Sequence, residues 1–220
     1  MPLENCLFDQ NIMVSKHVRL PFLLHLPGPA LNRDANWPVI LFLHGRDQRG
    51  EDLELLKDRG IPQQLEQGAE LPFIVIAPQC PGYCIWPAVF DGVMAIVDEV
   101  ARTHPVDRSR IYLTGLSMGG YAAWDLAMEY PGRFAAIAPV SGSASQERLQ
   151  LLQDVPVWAF HGAKDDIVPA AEISGNIAAI NAVGGNARLT LYPDGDHDAW
   201  TEAYRNPQLY KWFLEHTLNP

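Results

Sequence analysis

The chain has 220 residues, 48% of them hydrophobic and 19% charged, with a formal net charge of -10. That length suits one large α/β domain with a full core, and the composition is that of a globular protein, neither disordered nor membrane-spanning. Nucleic acid and anionic membranes reward clustered Lys and Arg, so the acidic balance argues against both as partners.

Residues 1–10 carry acids early and lack the basic-then-apolar order of a signal peptide, so the expected location is cytoplasmic. Three cysteines are too few for a disulfide framework, although Cys80 and Cys84 share a loop in which they could pair. Residues 12–26 alternate loosely and run into Pro27-Gly28-Pro29, the pattern of one or two antiparallel edge strands. A polar loop follows over 32–36. Residues 38–43 are continuously apolar, as a strand covered on both faces must be. They end in the glycine-containing segment His44-Gly45-Arg46. Short helices are expected over 51–57 and 61–67.

The next buried strand spans 73–77 and leads into a proline-rich loop that carries Gln79, Cys80, Cys84 and Trp86. Over 89–102, Val93, Ile96, Val97 and Val100 recur at helical spacing. A strand at 111–114 precedes Gly115-Leu116-Ser117-Met118-Gly119-Gly120, and a helix-forming run occupies 121–130. Strands are then expected at 134–140, 155–160 and 187–192. Helices are expected at 146–152, 170–183 and 207–217, the last with Leu209, Trp212 and Phe213 on one side. Such alternation, without repeat or linker, predicts a single α/β domain over 1–220. Its sheet should be mostly parallel, with helices on both faces.

Strand, Gly-x-Ser-x-Gly, helix is the setting of a nucleophile elbow. Small residues two before and two after the serine allow so tight a turn, and Gly115 and Gly119 supply them. Serine needs a base, itself oriented by a carboxylate, and in an open parallel sheet such groups gather where strands end. Two downstream loops qualify. One holds His161, Asp165 and Asp166, and the other holds Asp194, Asp196, His197 and Asp198. The order Ser, Asp, His is that of the α/β-hydrolases. Among seven histidines His197 is the best candidate base, with His161 as its rival at the end of a buried strand. Spacing alone leaves Asp165 and Asp166 open, since either could cap the following helix. A tetrahedral intermediate needs two N–H donors, for which the backbone amides of Met118 and Arg46 are placed. No metal-ligand spacing or phosphate-binding glycine pattern occurs, and no cofactor is expected.

Apolar-strand-His-Gly, Ala-Pro-Gln-Cys-Pro…Trp, Gly-Leu-Ser-Met-Gly-Gly, His-Gly-x-x-Asp-x-x-Val-Pro and Gly-x-His-x-x-Trp, in that order, span His44 to Trp200. The set resembles the phospholipase/carboxylesterase group of α/β-hydrolases and is similar to neighbouring predicted-peptidase and feruloyl-esterase-like hydrolases. The resemblance implies an α/β-hydrolase fold and a serine esterase with Ser117, Asp165 and His197 as triad. In the His-Gly-x-x-Asp pattern the first acid is the triad member, which selects Asp165. The polar and aromatic motif residues His44, Gln79, Trp86 and Trp200 are the expected substrate contacts. Family members often have a small residue where this chain has Arg46, so its side chain is expected to narrow or charge the mouth. The dienelactone hydrolases resemble this group but use cysteine, and Ser117 argues against that chemistry. A small soluble ester is the expected substrate, with peptides and feruloyl or acetyl esters as alternatives. Residues 141–154 have room for a loop and one short helix but not for a cap domain.

Overall fold

Val39, Leu41 and Leu43 pack on one face of the central sheet and Ile40 and Phe42 on the other, each almost wholly buried. Successive side chains of a strand point to opposite faces, so only a strand covered on both sides accepts such an uninterrupted apolar run. The computed structural model describes residues 17–28 and 36–218. The expected features over 1–16 and 32–35 lie outside the described residues. The strands are β1 (Phe22–His25), β2 (Trp37–Leu43), β3 (Ile74–Pro78), β4 (Val106–Leu116), β5 (Ala136–Val140), β6 (Val157–Gly162) and β7 (Ala187–Tyr192). They form a seven-stranded sheet in the order β1-β3-β2-β4-β5-β6-β7. Only β1 runs antiparallel, pairing Phe22 with Pro78 and His25 with Val75 at the edge of the sheet.

The helices are α1 (Gly60–Glu66), α2 (Phe90–Thr103), α3 (Met118–Glu129), α4 (Ala170–Ala182), α5 (Trp200–Arg205) and α6 (Pro207–Leu214). On one face α2, α3 and α4 bury Val93, Val97, Leu126, Ile173 and Ile180 against Val39, Leu41 and Ile76. On the other, α1, α5 and α6 bury Ile61, Tyr204, Leu209 and Phe213 against Ile40, Phe42 and Val75. These helices cover both faces of a mostly parallel sheet, the α/β-hydrolase arrangement. Residues 53–58 and 146–152 are single stretches of 3-10 helix. α5 has no counterpart among the expected elements. Its six residues span under two turns, too short for a period to show in sequence. No cap stands between β5 and β6, where the only element is the 3-10 stretch. Among the described residues no helix is long and apolar enough to cross a membrane.

Backbone packs closely on backbone where α3 meets the ends of β2, β4 and β5. A methyl group on Gly119 would stand 2.0 Å from the Leu43 carbonyl oxygen, and one on Gly115 would stand 2.3 Å from that of Gly119. On Gly120 it would stand 2.3 Å from the Val140 oxygen. Each neighbour is backbone and cannot rotate away. Gly119→Ala is therefore expected to cost at least about 2–3 kcal/mol, since the helix must lift off the sheet. Urea unfolding of the variant beside wild type measures it, and a loss within about 0.5 kcal/mol would contradict the packing described.

Candidate active site

Ser117, Asp165 and His197 each sit just past the carboxyl end of a parallel strand. Ser117 follows β4 and precedes α3, with φ 51° and ψ -116°. That left-handed backbone is costly for a residue with a β-carbon and persists only where the surroundings impose it. Here they do: Ser117 N donates to the Val140 oxygen at 3.0 Å, and its carbonyl accepts from Tyr121 N at 3.0 Å. The loop after β6 brings in Asp165, and the loop after β7 brings in His197. Gly162 lets those loops touch, since a methyl there would stand 2.0 Å from the Asp196 oxygen. Lys164 N and Ala163 N donate to the oxygens of Gly195 and Tyr192, at 2.8 and 2.9 Å.

A continuous hydrogen-bonded line results. Ser117 Oγ is 2.9 Å from His197 Nε2, and His197 Nδ1 is 2.9 Å from Asp165 Oδ2. The Asp165 side chain is fully buried and that of His197 is 16% exposed, so only the imidazole of the pair meets solvent. Asp165 Oδ1 accepts from the amides of Ile167 and Val168, each at 2.9 Å. Burial alone would push this carboxyl's pKa up. The Val168 and Ile167 amides and the His197 ring outweigh it and hold the group below its ordinary value. Asp166 is exposed and takes no part.

His161, the rival base, is fully buried behind Asp165. Its Nε2 lies 2.8 Å from the Val168 oxygen and 3.2 Å from Asp165 Oδ2. A carbonyl acceptor requires Nε2 to carry the proton, so His161 braces the acid loop and is screened from Ser117. The sequence gives no sign of this contact, which joins side chains four residues apart across a turn.

Arg46 and Met118 each open a helix, so their N–H groups have no carbonyl of a preceding turn to bond within it. The Gly45–Arg46 peptide is held by the Gly45 oxygen, which receives His44 Nδ1 at 2.6 Å and Gln48 N at 3.3 Å. In a trans peptide that leaves the Arg46 N–H turned to the opposite side. Two expected substrate contacts prove to be braces for this loop. His44 is fully buried, and its Nε2 accepts from Cys80 N at 2.9 Å. Burial lowers its pKa to about 4, which keeps Nε2 free of a proton for that bond. Gln79 is likewise buried and donates to the oxygens of Gln48 and Asp52 at 2.9 and 2.8 Å. Cys80 and Cys84 are both free thiols, and burial pushes that of Cys80 up to about 12.

Beside Ser117 opens a cavity of about 500 Å³. Arg46 and Met118 border it near the serine, Trp86 and Ile85 wall one side, and Tyr121 and Ile167 form the rim. Ile85, Tyr121 and Ile167 are 50%, 38% and 66% exposed and Arg46 is exposed as well, so the mouth is open and joins apolar side chains to one cation. Trp86 is at once wall and core: it is fully buried, and its Nε1 donates to the His44 oxygen at 3.1 Å. Trp200 does not line the cavity. Its ring stands edge-on to His197, with centroids 5.3 Å apart, and is otherwise packed into the core. Tyr121 and Asp125, both lining residues, went unnoticed in the sequence although they fall four and eight residues after Ser117 on one helical stripe.

The family model for dienelactone hydrolases matches residues 86–210, more than half of the chain. The chain belongs to the dienelactone hydrolase family. At the turn between β4 and α3, within the matched stretch, this chain carries Ser117. Over 161 residues it is 27% identical to the bifunctional acetylxylan esterase/xylanase XynS20E of Neocallimastix patriciarum, a match that covers 69% of this chain and 22% of that protein. It is 31% identical over 165 residues to the poly(3-hydroxyoctanoate) depolymerase of Pseudomonas fluorescens, covering 60% of this chain and 58% of the relative. The chain thus spans less than two thirds of these curated relatives. The crystal structure of a thermostable esterase superposes with a TM-score of 0.78 at 29% identity, over 90% of this chain and 59% of that one.

A carboxylate with a depressed pKa adds stability that is complete above its unfolded value, near 3.8, and is lost as pH falls through the lower folded value. The difference in unfolding midpoint between wild type and Asp165→Asn is therefore expected to be largest above pH 4 and to shrink on acidification below it. Thermal unfolding from pH 7 to pH 2.5 checks this, and a gap that widens toward acid would contradict the geometry around Asp165.

Proposed function

We propose that the chain is a serine carboxylic-ester hydrolase that acts on small soluble esters through Ser117, His197 and Asp165. The observation that carries this reading is the unbroken 2.9 Å line from Ser117 Oγ through the imidazole to the buried carboxylate. Ser117 Oγ attacks the ester carbonyl carbon while His197 Nε2 takes its proton. Asp165 holds the Nδ1–H of the imidazole, so that Nε2 faces the serine and the imidazolium that forms is stabilised. The amides of Arg46 and Met118 receive the negative oxygen of the tetrahedral intermediate. As that intermediate collapses, the C–O bond to the alcohol breaks and His197 returns the proton to the leaving oxygen. Water then attacks the acyl-serine with His197 again as base, and release of the acid regenerates the Ser117 hydroxyl.

Family membership supports ester hydrolysis, as do relatives and a structural neighbour that bear esterase names. Short substrates are favoured by the shape of the site. Ser117 is only partly covered, and no cap lies over it among the described residues.

Ser117→Ala is expected to lower turnover of 4-nitrophenyl acetate roughly ten-thousandfold or more, with an unchanged circular dichroism spectrum. Retention of a tenth of wild-type activity would remove Ser117 as nucleophile. In the same assay Asp165→Asn should approach that loss, because an amide can hold the imidazole in the wrong tautomer, while Asp166→Asn stays within about threefold of wild type. A reversed ranking would reassign the acid. The rate should also rise smoothly as tributyrin passes its solubility limit. A sharp jump at the emulsion would indicate a lid that opens at an interface.

A further inference from the structure

Along α3 the stripe that begins at Ser117 continues through Tyr121 to Asp125, about 12 Å further at 1.5 Å per residue. Tyr121 and Asp125 both line the active-site cavity. Asp125 also borders the adjoining hollow, whose lining includes Asp91, Glu129 and Arg148. The compartment therefore carries Arg46 and apolar side chains around the serine, and carboxylates with Arg148 at its far end.

Among the described residues the Asp125 carboxylate makes no hydrogen bond and no ion pair. Arg148, the cation whose field reaches it, is bonded instead to the Met128 carbonyl and the Glu129 carboxylate, at 3.3 and 3.5 Å. Burial raises the pKa of Asp125, as expected of a carboxylate partly withdrawn from water without a partner. Such a group costs stability where it stands. Core packing does not call for it, and a carboxylate on the wall of a substrate cavity can take its partner from the substrate.

We propose that Asp125 determines specificity by accepting a hydrogen bond from a donor group, a hydroxyl or a protonated amine, carried at the far end of an ester whose carbonyl lies at Ser117. The proposal rests on the esterase reading and extends it to a substrate class: amphipathic esters, apolar next to the scissile bond and donor-bearing at a distance. Ile85, Tyr121 and Ile167 receive the apolar stretch, and Asp125 reads the terminus.

Two matched ester series test it. One comprises 4-nitrophenyl esters of medium-chain acids that end in methyl, hydroxyl or ammonium. The other comprises acetates of the corresponding alcohols, so that either side of the ester may occupy the cavity. In at least one series wild type should favour the donor-bearing members over the methyl-ended one in kcat/KM. Asp125→Leu should lower that preference about tenfold or more, mainly through KM, as loss of a hydrogen bond to a charged group does. Asp125→Asn keeps an acceptor and loses the charge. It should retain part of the preference if the reader is built for hydroxyl, and lose it as fully as Asp125→Leu if it is built for ammonium. Thermal unfolding of both variants should show no loss of midpoint, because the carboxylate has no partner to lose. A preference that neither variant changes in either series, with esters still turned over, overturns the role of Asp125 and leaves the esterase reading intact. So does an equal loss of kcat/KM for all members accompanied by a lower midpoint, the mark of a structural residue. Failure of wild type to hydrolyse any member overturns the esterase reading and this inference with it. Should Asp125→Leu not fold, the comparison of Asp125→Asn with wild type decides.

Discussion

Backbone touching backbone beneath Ser117 is the constraint on which the rest of the site depends. α3 can begin where it does only because Gly115, Gly119 and Gly120 let main-chain atoms of β2, β4 and β5 come within a distance that a β-carbon would fill. Gly142 completes the contact from the neighbouring strand, where a methyl would stand 2.5 Å from Tyr121 N. With the helix pressed against the strand ends, the chain has no room for a relaxed turn. Ser117 and the buried Ser141 both take φ 51° as a result, one strand apart. The strain at Ser117 raises its hydroxyl above the sheet and aims it at the loops that follow later strands.

Three histidines near this edge are put to different uses by their exposure. His44 and His161 are wholly buried, each with a ring nitrogen committed to backbone, and each fixes a loop. His197 keeps one side open to solvent and stands between a hydroxyl and a carboxylate. The proposed role of His197 as proton carrier asks for that arrangement, because its charge would have to change during a cycle at small cost. A brace needs the opposite, and the low pKa of His44 shows how firmly burial opposes its ionisation.

Much of this was legible in the sequence. The buried strands announced themselves as apolar runs, and the glycines around Ser117 marked the turn, because both patterns are local. The positions of Ser117 and His197 followed from the rule that functional loops leave the carboxyl ends of parallel strands. The choice between Asp165 and Asp166 did not follow from spacing, since it depends on which carboxylate the amides of Ile167 and Val168 turn inward. Residue type also misled at His44, Gln79 and Trp200. Polar and aromatic side chains in motifs that accompany Gly-x-Ser-x-Gly suggest substrate contact, yet these three are occupied by Cys80, by Gln48 and Asp52, and by the core. Burial is a property of the tertiary structure, and no motif records it. Asp125 escaped notice for the complementary reason: an acid in mid-helix reads as an ordinary solvent-facing residue until the wall opposite it is in view.

The contact at Gly162 bears on how such sites can be rebuilt. Because the acid-bearing and histidine-bearing loops meet main chain to main chain, with Lys164 and Ala163 laced to Gly195 and Tyr192, neither loop is a separable module. Exchange of the histidine loop alone with that of a relative would bring in a backbone path shaped against a different partner, and the mismatch would fall on the His197–Asp165 bond. The unit of transplantation, and the unit within which compensating changes would accumulate as the chain diverges, is the loop pair together with the glycine that joins it.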